Sequence, residues 1–247
     1  MTIAENLAQV RASIAAACAR AGRDPASVTL VAVSKTHPPA ALIEAAAAGV
    51  QHFGENRVEE AVNKIPAVRA ELAAPLVWHM IGHLQSRKAK DVPPLFDVVH
   101  SVDTLKLAER LSQAALARDE GSNSRPLEVL LEVNVSGEVT KSGFAASGWR
   151  HNASVRDQLW QNVAQIAALP GLKLRGLMTM APIVDEMEQA RPVFASLSQL
   201  RAALAENLNT LLPDLSMGMT DDYPVAIEEG ATLVRIGRAI FGERERF

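Results

Sequence analysis

Residues 28–34 read VTLVAVS, an apolar, β-branched run that ends at Ser34 and is followed at once by Lys35. A continuous run of this kind suits a strand buried on both faces, as in a parallel sheet covered by helices. Seven more such runs lie further along the chain: 50–53 (VQHF), 76–81 (LVWHMI), 97–100 (DVVH), 127–133 (LEVLLEV), 173–178 (KLRGLM), 214–217 (DLSM) and 232–236 (TLVRI). Helical patterns fall between them near 39–48, 56–72, 86–91, 103–118, 154–168, 185–208 and 222–229. Strand and helix in alternation build βαβ units. Eight strands in 247 residues predict one α/β domain over residues 1–247, a TIM-type (β/α)8 barrel, a fold that typically takes about 250 residues. An open, doubly wound sheet is the rival arrangement.

An amphipathic helix over residues 2–21 precedes the first strand, with Ile3, Leu7, Val10 and Ile14 at helical spacing. Thr2 and Glu5 form a capping box at its start, and Gly22 is a natural stop. Residues 119–126 (DEGSNSRP) and 145–153 (AASGWRHNA) read as polar loops. A net charge of -3 argues against a nucleic-acid partner. The N-terminus lacks a basic stretch followed by an apolar block, and no apolar run reaches the ~18 residues of a membrane span. The one cysteine, Cys18, lies among alanines and reads as buried filler. A lone thiol fits the reducing cytosol, so a cytoplasmic protein is expected.

In such barrels the reactive groups sit where strands end and helical connections begin. Lys35 holds that position after the first strand. Burial of an amine favours its neutral form, which attacks aldehydes to form a Schiff base; the plainer alternative is a lysine that marks an exposed strand end. The last two strands are followed by SMGMT (216–220) and by Gly237-Arg238. Glycine turns let backbone N–H groups approach an anion, and barrel phosphate sites are frequently built from these two loops. A lysine on strand 1 facing such loops suggests a phosphorylated aldehyde. Arg235 would reach the ring nitrogen of a pyridine ligand and keep it unprotonated; the alternative is an interior arginine paired to a carboxylate. His79 and His83 stand four apart on a strand-to-loop pattern without a third ligand, so no metal is expected. Asp221 and Asp222 read as acids at the positive end of a helix.

Seven blocks in order resemble the pyridoxal 5′-phosphate (PLP) homeostasis protein family: VAVSKTHP (31–38), HFGENRVEE (52–60), WHMIGHLQSRKAK (78–90), VNVSGEVTKSGF (133–144), LRGLMTMAP (174–182), LSMGMTDDY (215–223) and VRIGRAIFGER (234–244). The resemblance implies a fold-type III PLP barrel, like the N-terminal domain of alanine racemase, with PLP held as an internal aldimine on Lys35. It implies that Ser216, Gly218, Thr220, Gly237 and Arg238 lie at the phosphate, that Arg235 faces the ring nitrogen, and that Asn56 and Met178 lie near the cofactor. Lys141 resembles a family lysine proposed to help move the cofactor. Two features depart from the family: Arg238 stands where threonine is usual, and residues 145–157 look longer than the usual loop.

The implied function is a carrier or regulator of intracellular PLP that supplies apo PLP-dependent enzymes and has no catalytic residues of its own; with no exposed heptad or second domain evident, a monomer is expected. The alternatives are an amino-acid racemase on the same barrel and a barrel enzyme acting on a small phosphorylated substrate. Racemisation needs acid/base groups on both faces of the substrate carbon. The chain's single tyrosine, Tyr223, follows the phosphate loop, which argues against that route.

Overall fold

A computed structural model describes residues 1–72, 74–118 and 125–242. The polar stretch 119–126 therefore lies outside the described residues, apart from Arg125 and Pro126, as does the end of the last family block. Helix α1 (Ile3–Arg20) opens with the expected capping box: Thr2 Oγ1 accepts from Glu5 N–H, and Glu5 accepts from Thr2 N–H. It closes at Gly22 with φ of 63°, where Arg23 N–H reaches Cys18 C=O at 2.9 Å and Gly22 N–H reaches Ala19 C=O at 3.2 Å. Those two bonds satisfy the last carbonyls of the helix.

The barrel follows. Its strands are β1 (Thr29–Val33), β2 (His52–Glu55), β3 (Val77–Met80), β4 (Val98–Val102), β5 (Leu127–Asn134), β7 (Leu172–Met178), β8 (Asp214–Ser216) and β9 (Leu233–Ile236). All pair in parallel, and the β4–β5 and β1–β9 ladders close the ring. The helices α2 (Pro39–Ala47), α3 (Val58–Glu71), α4 (Leu105–Arg118), α5 (Ala153–Ala167), α6 (Arg191–Asn207) and α7 (Tyr223–Glu228) alternate with the strands, and α8 (Arg238–Phe241) is a final single turn. The open-sheet rival is excluded. No described helix is long and apolar enough to cross a membrane. Cys18 is fully buried.

Three segments differ from the sequence expectation. Residues 86–91 form a 3-10 turn rather than an α-helix: Gln85 gives no side-chain cap, and Pro93-Pro94 follow at once. The pattern 185–208 divides into a 3-10 turn (Met187–Ala190) and α6, whose Pro192 suits a first helical turn. The loop after β5 contains a two-residue strand, β6 (Phe144–Ala145), parallel to β5. The rest of that long loop is anchored by Trp149, which is buried and stacks on Trp160 of α5 at 6.0 Å.

Two apolar cores result, one on each face of the sheet. The larger fills the shell between strands and helices. The smaller lies inside the ring and consists of Val31, Val98, Leu130, Met178 and Leu233, with Val77 packed against it. Side chains alternate in and out along a strand. Two residues beyond Val31, Val77, Val98, Leu130 and Leu233 therefore lie Val33, His79, His100, Glu132 and Arg235, also facing inward. The polar groups His79, His100, Glu132 and Arg235 thus lie above the apolar layer, toward the C-terminal ends of the strands, with Val33 and Met178 among them.

Gly176 shows how tightly the ring closes. A Cβ at this position would lie 1.8 Å from Asp214 C=O on β8. Gly176→Ala is expected to cost stability at the upper end of the ~1–3 kcal/mol typical of overpacking, read as a lowered denaturant midpoint. An unchanged midpoint would show that β7 and β8 separate easily.

Candidate functional site

The end of β1 is held by a buried ionic cluster. Ser34 N–H donates to Gly54 C=O at 3.0 Å, and Ser34 Oγ donates to Glu55 Oε1 at 2.6 Å. The ammonium of Lys64, on α3 and only 6% exposed, donates to Ser34 C=O (2.9 Å), Glu55 Oε1 (2.9 Å) and Glu60 Oε1 (2.5 Å). Thr36 has φ of 69°, unusual for a β-branched residue, and its N–H is held by Glu60 Oε1 at 2.6 Å. Lys35 is thus presented, half-buried, between two residues fixed on either side. Burial pushes the Glu55 carboxyl up, and Ser34 and Lys64 oppose that rise.

The far end of the chain reaches the same mouth of the barrel. Residues 217–222 form a tight loop: Gly218 has φ of 92°, and a Cβ there would lie 2.7 Å from Ala226 Cβ and 2.8 Å from Tyr223 Cα. Gly218 C=O accepts from Arg235 N–H at 3.0 Å, which ties this loop to β9. At the next turn, a Cβ on Gly237 would lie 3.2 Å from Val33 C=O, two residues before Lys35. His37, just past Lys35, stacks on Phe241 of α8 at 4.8 Å. Lys35, the 216–220 turn and Gly237-Arg238 therefore share the C-terminal mouth of one barrel.

Arg235 lies beneath this mouth, 5% exposed. Its guanidinium donates to Ser216 Oγ (2.5 Å) and Thr179 C=O (3.0 Å), both neutral. The paired-carboxylate reading is not what forms here: Asp222 and Glu132 act on Arg235 only through their fields. Burial lowers its pKa to about 10, so it stays charged at neutral pH. The same burial pushes Glu132 and Asp222 up.

The other expected residues are placed as follows. Asn56 follows β2, and its side-chain oxygen is buried without a protein partner, as is Glu55 Oε2. A cleft of about 420 Å³ opens beside Asn56, lined in part by Met80, His83 and Leu84. Met178 closes the interior core at the end of β7. Thr220 is half-buried in its turn. The Arg238 side chain turns outward to Asp221 at 2.5 Å, leaving its backbone at the mouth. Asp222 does not cap α7 with its side chain; it accepts from Met219 N–H at 2.6 Å and closes the 217–222 loop. Lys141 donates to Met180 C=O at 2.8 Å, joining two rim loops. His83 faces Asp103, and no cluster of three metal ligands occurs among the described residues.

Two groups escaped the sequence reading. One is Lys64, hidden in an amphipathic helix where lysine is ordinarily solvated. The other is a line of histidines across the barrel: His52 Nδ1 to His79 Nε2 (2.9 Å), His79 Nδ1 to His100 Nε2 (2.8 Å), and His100 Nδ1 to Ser216 Oγ (2.8 Å). Their signal was present in the sequence, since each lies within a strand at an inward-facing position.

Residues 5–245 match the family model described as alanine racemase, N-terminal domain. The fold is correspondingly shared with alanine racemase of Clostridium difficile, at a TM-score of 0.70 and 14% identity over 99% of this chain and 57% of that one. The chain is therefore a barrel of the alanine racemase N-terminal class. Within that class it is 47% identical to the pyridoxal phosphate homeostasis protein of Pseudomonas aeruginosa, over 99% of this chain and 96% of that one. It is 44% identical to the Escherichia coli protein of the same name, over 98% and 97%. The chain belongs to the pyridoxal phosphate homeostasis protein family. PipY of Synechococcus elongatus, solved with PLP bound, superposes with a TM-score of 0.80 at 36% identity, covering 98% of this chain and all of that one.

Proposed function

We propose that this protein holds PLP covalently through Lys35 and serves intracellular PLP homeostasis as a monomeric cytosolic carrier or regulator that supplies apo-enzymes, without robust catalysis of its own. The observation that carries this reading is the meeting, at one barrel mouth, of the β1-end lysine with two glycine turns above a buried arginine. Three features support the fit. Gly218 and Gly237 sit where a Cβ would crowd the neighbouring backbone. Asn56 offers a buried polar atom without a protein partner. Arg235 supplies a buried positive charge with neutral hydrogen-bond partners. When bound, PLP supplies an aldehyde for an amine and a phosphate for the turns.

In this reading Ser216, Gly218, Thr220, Gly237 and Arg238 hold the phosphate through hydroxyl and backbone groups. The Arg238 guanidinium, engaged by Asp221, is left out of that set. Arg235 faces the ring nitrogen and, having no acceptor, keeps it unprotonated, which withholds the electron-withdrawing ring that carbanion chemistry uses. Asn56 and Met178 would lie near the cofactor, and Lys141 stands at the rim. The names of the relatives favour homeostasis over an enzyme. Tyr223, the chain's single tyrosine, is packed in the larger apolar core at the start of α7, which weighs against a role as the second acid/base group that racemisation needs.

Mixing purified protein with PLP should give the visible absorbance of lysine-bound cofactor. Borohydride followed by peptide mapping should then place the label on Lys35. Label on another lysine, or none, overturns the assignment. Loaded protein given single-enantiomer alanine should turn over well below ~1 per second, the low end of ordinary enzymes; faster racemisation defeats the carrier reading.

A further inference from the structure

We propose that His52, His79 and His100 are positioning residues that act as one switchable hydrogen-bond wire, setting Ser216 as a donor toward the ligand and exchanging the displaced proton with solvent at the opposite mouth. This rests on the PLP reading above, which puts an acceptor-bearing ligand beside Ser216.

The wire crosses the barrel interior. His79 and His100 are buried, and each has both ring nitrogens engaged, at 2.8–2.9 Å. The rings of His79 and His100 meet at 79° with centroids 5.0 Å apart, an edge-on approach that suits an in-plane N–H···N bond. His52, the first residue of β2, is partly exposed and lies nearer the N-terminal mouth, within the field of Asp97. At the other end Arg235 holds Ser216 Oγ, with Glu132 and Asp222 as the acids around it. The buried rings are held neutral: burial, with His52 beside it, lowers His79 to about 3, and burial also drives His100 down.

A neutral imidazole has one N–H and one bare nitrogen. Every link must therefore run in the same sense, because a mismatch sets two hydrogens or two lone pairs face to face. Only two states satisfy all the links. In the first, Ser216 donates to His100 Nδ1, His100 Nε2–H donates to His79 Nδ1, and His79 Nε2–H donates to His52 Nδ1. In the second, every histidine carries its proton on Nδ1. His100 then donates to Ser216 Oγ, and the hydroxyl hydrogen is released toward the mouth.

Arg235 has no acceptor, so it donates to Ser216 in both states. Phosphate oxygens and an unprotonated ring nitrogen offer only lone pairs. A ligand beside Ser216 therefore selects the second state. The change balances. Ser216 passes its hydrogen to His100 and takes one from the mouth. His100 and His79 each pass Nε2–H onward, and His52 releases its Nε2–H to solvent. One proton enters, one leaves, and the wire keeps its charge.

The test is ¹⁵N-histidine NMR of the full chain with and without PLP. Loading should exchange the protonated and bare nitrogens of His79 and His100 together, leaving Nδ1–H in the loaded form. In Ser216→Ala the two rings should no longer respond to PLP. Lysine-bound PLP with unchanged tautomers, or a response that persists in Ser216→Ala, overturns the wire and leaves the PLP assignment standing. Failure of PLP to bind overturns both.

Discussion

Lys35→Ala is expected to keep its barrel and lose all covalently held PLP. The loss should be complete rather than graded, because no neighbouring group substitutes for a primary amine in joining an aldehyde. The fold should survive because the loop is held by its backbone and by the flanking residues. Lys64 grips Ser34 C=O, Glu55 grips the Ser34 hydroxyl, and Glu60 grips Thr36 N–H. The Lys35 side chain belongs to neither apolar core, so truncation opens no cavity in them. The variant should still unfold cooperatively, because the backbone contacts around position 35 persist. Absorbance and a denaturant titration on the same sample read both results. A variant that unfolds would make Lys35 structural, and one that retains covalent PLP would move the attachment elsewhere.

Lys64→Ala is expected to give the largest loss of stability. It removes the cation from a buried pair and leaves the Glu55 carboxylate without its charge partner, a change that costs about 3–5 kcal/mol where one member of a buried ion pair is deleted. The pH dependence has a definite sign. Burial raises the Glu55 carboxyl in the folded state, and Lys64 opposes that rise. Without Lys64 the folded pKa stands further above the unfolded one. The ionised form is then the costly one, so stability falls as pH rises through the folded pKa and recovers as pH falls below it. Denaturant midpoints taken across the acidic range should show the variant approaching the parent at low pH; a gap constant with pH would mean the loss comes from packing alone. PLP retention should drop as well, since Ser34 and Thr36 would no longer be fixed around Lys35.

All eight barrel strands were legible in the sequence, because strands buried on both faces read as short, mainly apolar runs, broken mostly by inward-facing polar residues such as His79, His100, Glu132 and Arg235. VTLVAVS and LEVLLEV are nearly unbroken. The short strand Phe144–Ala145 was not legible, because two residues carry no period, and its pairing with Val133 and Asn134 is a tertiary event. The mouth was legible through its punctuation: a lysine after the first strand, glycines after the last two. Its supports were not. Glu55 and Ser34 stand 21 apart, and His100 and Ser216 stand 116 apart, so only closure of the ring brings them together.

The Lys64 cluster bears on which amine an incoming carbonyl finds. Two lysines lie near the end of the first strand. Lys64 spends all three ammonium hydrogens on two carboxylates and a peptide oxygen, so it exposes no lone pair to an electrophile. It is chemically muted by the same contacts that make it structural. The site thereby gains chemoselectivity without steric exclusion, because the second amine is tied up as a salt and in our reading the aldehyde is left to Lys35.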